Sequence, residues 1–236
     1  MMRYAWISLM MLLAIVAAGA QLDRQARRDA ALAPLVPTPF RSFALERLTI
    51  ATVRVAEPAD AVRTARLLVE RRPVPSEHLS LLAIAEARNG NTAGAAILVQ
   101  RAAQRGWRDS IAQRAMLNIA FNAGDLTEAT HRLAALWAMR EDQELLVKTT
   151  DQLLKTPAGR AAMADALTTN GRWAKPFVSA GTELQAGNFA ETIALSATKG
   201  ARLNCGILQR IEAAYARKKL DREAALIAFA RQNCVR

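Results

Sequence analysis

Gly90 and Gly124 stand 34 residues apart, and setting them as equivalent turn positions brings the segments around them into register. Ala61, Ala95 and Ala129 then share a small-residue position, Ala65, Val99 and Leu133 an apolar one, and Leu68, Ala102 and Leu136 another. A chain that returns to one pattern at this period is built by reusing one supersecondary unit, here helix, tight turn, helix. Glycine at the turn takes the left-handed conformation that ends the first helix, and alanine early in the second lets the two axes approach closely. The register gives three units, 42–75, 76–109 and 110–143; in the first, Ala56 stands where the others have glycine, and Pro73 closes the unit.

Composition agrees with helices throughout. The chain is 52% hydrophobic but only 5% aromatic, with 11 glycines and 8 prolines in 236 residues, and its alanines recur at helical spacing, which favours close-packed helices over a β-sandwich. We expect an all-α protein of antiparallel helical hairpins. The segments "AEARNGNTAGAAILVQRAAQRG" and "IAFNAGDLTEATHRLAALWA" resemble the tetratricopeptide repeat family. That resemblance implies a right-handed solenoid whose first helices line a concave, partner-recognising face. In this register the face carries Glu46, Ile50 and Arg54, then Ser80, Ile84 and Arg88, then Arg114, Asn118 and Asn122. Of these, Arg54, Arg88, Arg114, Asn118 and Asn122 are the expected partner-binding residues. Arg114 and Asn118, one helical turn apart, are similar to half of the clamp by which some members hold a peptide's terminal carboxylate. Lys148 is the nearest candidate for the other half, and ordinary solvated polar residues are the competing reading.

Beyond residue 143 the pattern decays. Residues 144–156 read as a helix ending at Thr156-Pro157, and 158–169 as another before Asn170-Gly171. The run "GTELQAGNFAETIALSATKG" reads as helix, turn at Gly187-Asn188, helix. We take 144–236 as diverged hairpins with a C-terminal cap.

Ahead of the repeats, Tyr4 to Ala20 is an uncharged run, "YAWISLMMLLAIVAAGA". Its 17 residues span about 26 Å as a helix, at the short limit for crossing a bilayer. Residues 1–22 are therefore a transmembrane anchor or a signal peptide, the latter cut before Gln21 after Ala18-Gly19-Ala20. We favour the anchor, because the apolar stretch runs to Val16 with little polar region behind it and arginines follow. Residues 23–41 are expected to continue as a polar helix to about residue 33 and then to become a stiff linker at Pro34, Pro37 and Pro39.

The side of the membrane is argued two ways. Arg24, Arg27 and Arg28 outweigh Arg3, which by the positive-inside rule places the C-terminal part in the cytoplasm. The cysteines oppose this. Cys205 and Cys234 bracket "CGILQRIEAAYARKKLDREAALIAFARQNC", a hairpin expected to turn near Lys219 to Asp221 with Asp221 capping its second helix. Folding about that point brings the two cysteines opposite each other, as a disulfide requires. A disulfide implies an oxidising compartment; buried reduced thiols are the alternative. We follow the cysteines and expect a single-pass inner-membrane protein with a periplasmic domain, or a periplasmic one after cleavage.

The net charge of +11 is concentrated at the two ends, with +3 over residues 1–41 and +6 over 172–236. Such surfaces suit an anionic polymer or lipid headgroups, or are simply solvated; nucleic acid is the less favoured partner, since no aromatic residues interleave the basic ones. Trp107, Trp137 and Trp173 are read as core or packing residues, with aromatic platforms for sugars as the alternative. Together with the repeats, "TNGRWAKPF" resembles a group of membrane-anchored repeat proteins of alphaproteobacteria linked to envelope polysaccharide production. No phosphate-cradling glycine loop, nucleophile elbow or pair of histidines at metal spacing is present, and the two histidines, His78 and His131, lie on separate segments. We expect a binding scaffold rather than an enzyme, with no catalytic residues, no metal and no cofactor, whose partner is another envelope protein or peptide. The alternatives are a carbohydrate-binding or carbohydrate-active periplasmic protein using the basic C-terminal region, and a cytoplasmic-facing nucleic-acid binder.

Overall fold

Turn residues with the right stereochemistry divide the chain into helices at closely spaced intervals. The computed structural model describes residues 2–235. It is all-α, and the only extended pairing among the described residues is an isolated bridge between Asn204 and Val235. The helices are α1 (Met2–Ala26), α2 (Phe43–Val55), α3 (Pro58–Arg71), α4 (Ser76–Arg88), α5 (Thr92–Arg105), α6 (Ser110–Ala123), α7 (Leu126–Met139), α8 (Gln143–Leu154), α9 (Pro157–Leu167), α10 (Ala174–Ser179), α11 (Ala186–Thr198), α12 (Cys205–Arg217) and α13 (Asp221–Arg231). Two compact units divide after Gly106.

In the N-terminal unit α2 with α3, α3 with α4, and α4 with α5 pack as consecutive neighbours. The α4–α5 turn uses Gly90 at φ 84°, a conformation that costs glycine nothing. Asn91 then caps α5, its side chain accepting the Gly94 N–H at 3.0 Å. Between α2 and α3 no glycine is needed, because Ala56 is extended (φ −77°, ψ 167°) and Pro58 opens the next helix at a position where its missing N–H is harmless. Ala61, Ala65 and Leu68 are fully buried along α3.

The C-terminal unit begins with the α6–α7 hairpin, turned at Gly124 (φ 72°) and capped by Asp125, whose carboxylate accepts the Glu128 N–H at 2.9 Å. Packing then departs from simple succession: α7 lies against α9 as well as α8, and α11 against both α9 and α13. One core fills the unit, with Trp137, Phe177, Phe189 and Tyr215 essentially inaccessible. The Phe177 ring lies 5.9 Å from Trp137, 5.8 Å from Trp173 and 5.7 Å from Phe189, all edge-on or tilted contacts that the ring quadrupoles favour. Burial pushes the Tyr215 phenol well above its ordinary range, and its hydroxyl donates to the Gly181 carbonyl at 2.6 Å.

Cys205 and Cys234 form a disulfide, with Cα atoms 5.1 Å apart, and close the α12–α13 hairpin as expected. The turn falls at Lys219, which takes φ 59°. Asp221 is the first residue of α13 rather than its cap; Leu220 holds the cap position without a side-chain bond, and Asp221 meets the helix dipole from inside the first turn.

Two further expectations are corrected. Gly187 and Asn188 do not form a turn. They lie in the first turn of α11, because the Gln185 side chain accepts the Asn188 N–H at 2.8 Å and the Gln185 N–H is anchored on Asp151 at 2.9 Å, so the helix starts at Ala186. The polar helix expected to residue 33 ends at Ala26. The stretch from residue 27 to 41, including the expected stiff linker at Pro34, Pro37 and Pro39, holds two short 3-10 turns, Ala30–Leu35 and Thr38–Phe40, and its Ala33 and Val36 are buried with Ala26 and Ala44.

Candidate functional site

The apolar N-terminal run forms the first part of α1, and its side chains from Tyr4 to Val16 are exposed. Among the described residues it is the one helix long and apolar enough to cross a membrane, as a single anchor or a signal would be. The helix does not stop where the apolar run stops. It continues into the N-terminal unit, where Gly19 lies so near the Phe40 ring that a Cβ would stand 2.6 Å from it. One turn further on, Asp23 is 4% exposed, and its carboxylate accepts the N–H groups of Ser42, Phe43 and Ala44 at 2.9, 3.1 and 2.9 Å. The first amides of α2 have no partner within the helix and carry its positive dipole end, so a buried carboxylate here is both hydrogen-bonded and charge-matched. Ser42, the local cap residue, makes no side-chain cap bond.

Around this junction lies a basic cleft. One part, about 440 Å³, is lined by Gln21, Arg24, Gln25, Arg27, Arg28 and Phe43. The adjoining part, about 510 Å³, is lined by Arg27, Phe43, Glu46, Arg47, Arg72, Pro75, Glu77 and His78. Phe43 is shared between them, and both Arg27 (5.3 Å) and Arg72 (4.6 Å) set their guanidinium carbons over its ring. Arg72 also pairs with Glu46 at 2.6 Å. His78, 1% exposed, places Nε2 at 3.4 Å from Glu46 and Nδ1 at 2.8 Å from the Arg72 carbonyl. The hydrogen bond from His78 is the largest influence on Glu46 and holds its carboxyl below its ordinary value; burial opposes this and Arg72 reinforces it. Arg47 donates to the Arg27 carbonyl at 2.6 Å. Among the described residues no carboxylate stands within ion-pair distance of Arg24, Arg27, Arg28 or Arg47. The cleft therefore presents several unneutralised guanidinium groups, the fork-shaped donors best suited to phosphate or carboxylate.

The residues picked out by the repeat register take varied places. Arg54 is exposed at the end of α2. Arg88, expected on a binding face, bonds instead to the carbonyls of Val53 and, at 2.9 Å, Ala56, closing the C-terminal end of α2. Ser80 is fully buried. In the other unit, Arg114 is half-buried and pairs with Asp142 at 3.3 Å, while its Nε is buried without a hydrogen-bond partner. Asn118, Asn122 and Lys148 are exposed. Trp137 and Trp173 are core residues, whereas Trp107 is half exposed with Arg108 stacked at 5.0 Å.

Sequence reasoning missed the cleft, although its arginines were counted. His78 was read only as standing on a different segment from His131, and nothing local shows that Asp23 reaches a helix start some twenty residues away. No family model, curated protein or solved structure matches the chain.

Proposed function

We propose that this chain is a membrane-tethered scaffold of the tetratricopeptide type, a single-pass inner-membrane protein whose helical hairpins hold another envelope protein or peptide on the periplasmic side. The observation that carries this reading is the unbroken passage of α1 from an exposed apolar stretch into a buried junction at Gly19 and Asp23. Asp23 would remain after a cut before Gln21, but Gly19 lies ahead of that cut, and its close packing on Phe40 favours a segment retained in the mature protein. The disulfide is consistent with an extracytoplasmic domain, and the helix pairs α2–α3, α4–α5 and α6–α7 are what the 34-residue period leads one to expect of such a scaffold. Polysaccharide assembly or export is the process its family likeness points to. Arg54, Asn118 and Asn122, exposed at the ends and faces of first helices, are the residues left for partner contact.

Crosslinking in native membranes followed by affinity purification tests the scaffold. The expected result is a reproducible protein partner whose capture weakens severalfold in an Asn118→Ala, Asn122→Ala double variant. Recovery of the chain alone sinks the reading. A reporter active only outside the cytoplasm, fused after Arg236, tests the side: an inactive fusion at normal expression reverses the topology.

A further inference from the structure

We propose that the arginine cleft around Phe43 binds the phosphate of anionic phospholipids in the leaflet from which α1 emerges. The proposal rests on the anchor reading above. At 1.5 Å per residue, Arg24 lies about 6 Å beyond Ala20 along α1 and the end of the helix about 9 Å beyond it. The interfacial layer is roughly 5–8 Å thick on each side of the hydrocarbon core, so the cleft opens at the depth of the headgroups. Long arginine side chains reach back toward that layer while their stems stay on the protein.

Chemistry selects the same occupant. Arg24, Arg27 and Arg47 have no carboxylate partner, and nearby acids are already engaged: Asp23 by three backbone amides, Asp29 by the Ala31 N–H, and Glu46 by Arg72 and His78. Phe43 holds the Arg27 guanidinium at 5.3 Å, and the Arg47 side chain is tied to the Arg27 carbonyl. Groups fixed before a ligand arrives lose less freedom on binding it. Glu46 and Glu77 line only the part of the cleft that holds Arg47 and Arg72, and the part lined by Gln21, Arg24, Gln25, Arg27, Arg28 and Phe43 has no lining carboxylate. Because the same chain is embedded beside the lipid, headgroup phosphate meets the cleft at a high effective concentration that a free anion lacks.

The test uses the full-length chain, delipidated in neutral detergent and titrated with phosphatidylglycerol or phosphatidylcholine under native mass spectrometry. Phosphatidylglycerol should be retained in preference, and an Arg24→Gln, Arg27→Gln, Arg47→Gln variant should lose roughly fivefold in that affinity per arginine, with phosphatidylcholine unaffected. A variant with Arg101, Arg210 and Arg217 each changed to Gln has the same net charge and should keep the preference. Equal retention of the two lipids, or an equal loss in both triple variants, overturns the proposal, as does displacement of bound lipid by millimolar glycerol phosphate. Should the first triple variant fold poorly, Arg24→Gln alone, at an exposed position, should give the fivefold loss; no loss there overturns the proposal equally. Intact mass and carbonate extraction judge the anchor separately. A chain beginning at Gln21 sinks the anchor reading, whereas an uncut, membrane-retained chain without lipid preference sinks only this one.

Discussion

The two units are stabilised by different means. In the C-terminal unit one continuous apolar cluster runs from Leu117 to Ala230 and includes four large aromatic residues with essentially no accessible surface. The N-terminal unit divides its apolar residues among smaller groups, such as Ala26 with Ala33, Val36 and Ala44, and Leu45 with Leu68 and Leu81. It joins them by polar clips: Arg41 to the Val36 carbonyl (2.7 Å), Arg71 to that of Thr38 (3.0 Å), Arg105 to that of Pro73 (2.6 Å), and Arg66 to buried Glu86 (2.6 Å). Burial of apolar area depends little on pH and salt, whereas charge-assisted bonds depend on both. The C-terminal unit carries ion pairs too, such as Arg160 with Glu191 and Lys199 with Asp165, but its one large core should leave it less sensitive to its ionic surroundings than the N-terminal unit.

The largest expected effect lies in the C-terminal core. Phe177→Ala should cost about 3–5 kcal/mol, seen in denaturant unfolding, with hydrogen-exchange protection falling from α7 to α13 and not from α2 to α5. Equal loss in both units would erase the contrast. Next comes reduction of Cys205–Cys234, which frees a loop of 29 residues in the unfolded chain and should cost about 3 kcal/mol. Its sign is deprotection of α12 and α13, including the tail pinned by the Val235 N–H on Leu203 at 2.8 Å.

Asp23→Ala should follow at about 2 kcal/mol, read as exchange at the start of α2; unchanged protection there would show that solvent serves those amides as well as the carboxylate does. The smallest effect is titrimetric. Glu46 has its carboxyl held below the ordinary value of 4.5 by His78 first and Arg72 as well. Its contribution is fully present above that value and is lost as pH falls through the lower folded-state value. Acid should thus loosen α2 and α4 before the C-terminal core, and Glu46→Gln should abolish that difference. A wild-type acid transition shared by both units would contradict the division.

The hairpins were legible because their punctuation is local: Gly90, Gly124, Asn91 and Asp125 sit at helix ends and act on amides within three residues. The cysteine pairing was legible for the same reason, since one turn determines which residues face each other. What escaped was long-range and polar. Asp23 serves amides 19 to 21 residues away, and no pattern in residues 21–41 records it. Arg88 fits a binding face by register, yet the unpaired carbonyls at the end of α2 claim it, and which carbonyls lack partners is known only once helices have stopped. The prolines at 34, 37 and 39 forbid a regular helix but say nothing about whether the chain between them packs. Here Arg41 and Arg71 hold it down.

The seam between Gly19 and Phe40 carries one more implication. With the ring seated where a side chain would otherwise stand, α1 meets the chain leading into α2 in close contact there. On the anchor reading proposed above, a neighbour that packs along α1 and so selects one rotational setting of that helix would also bias the bearing of α2.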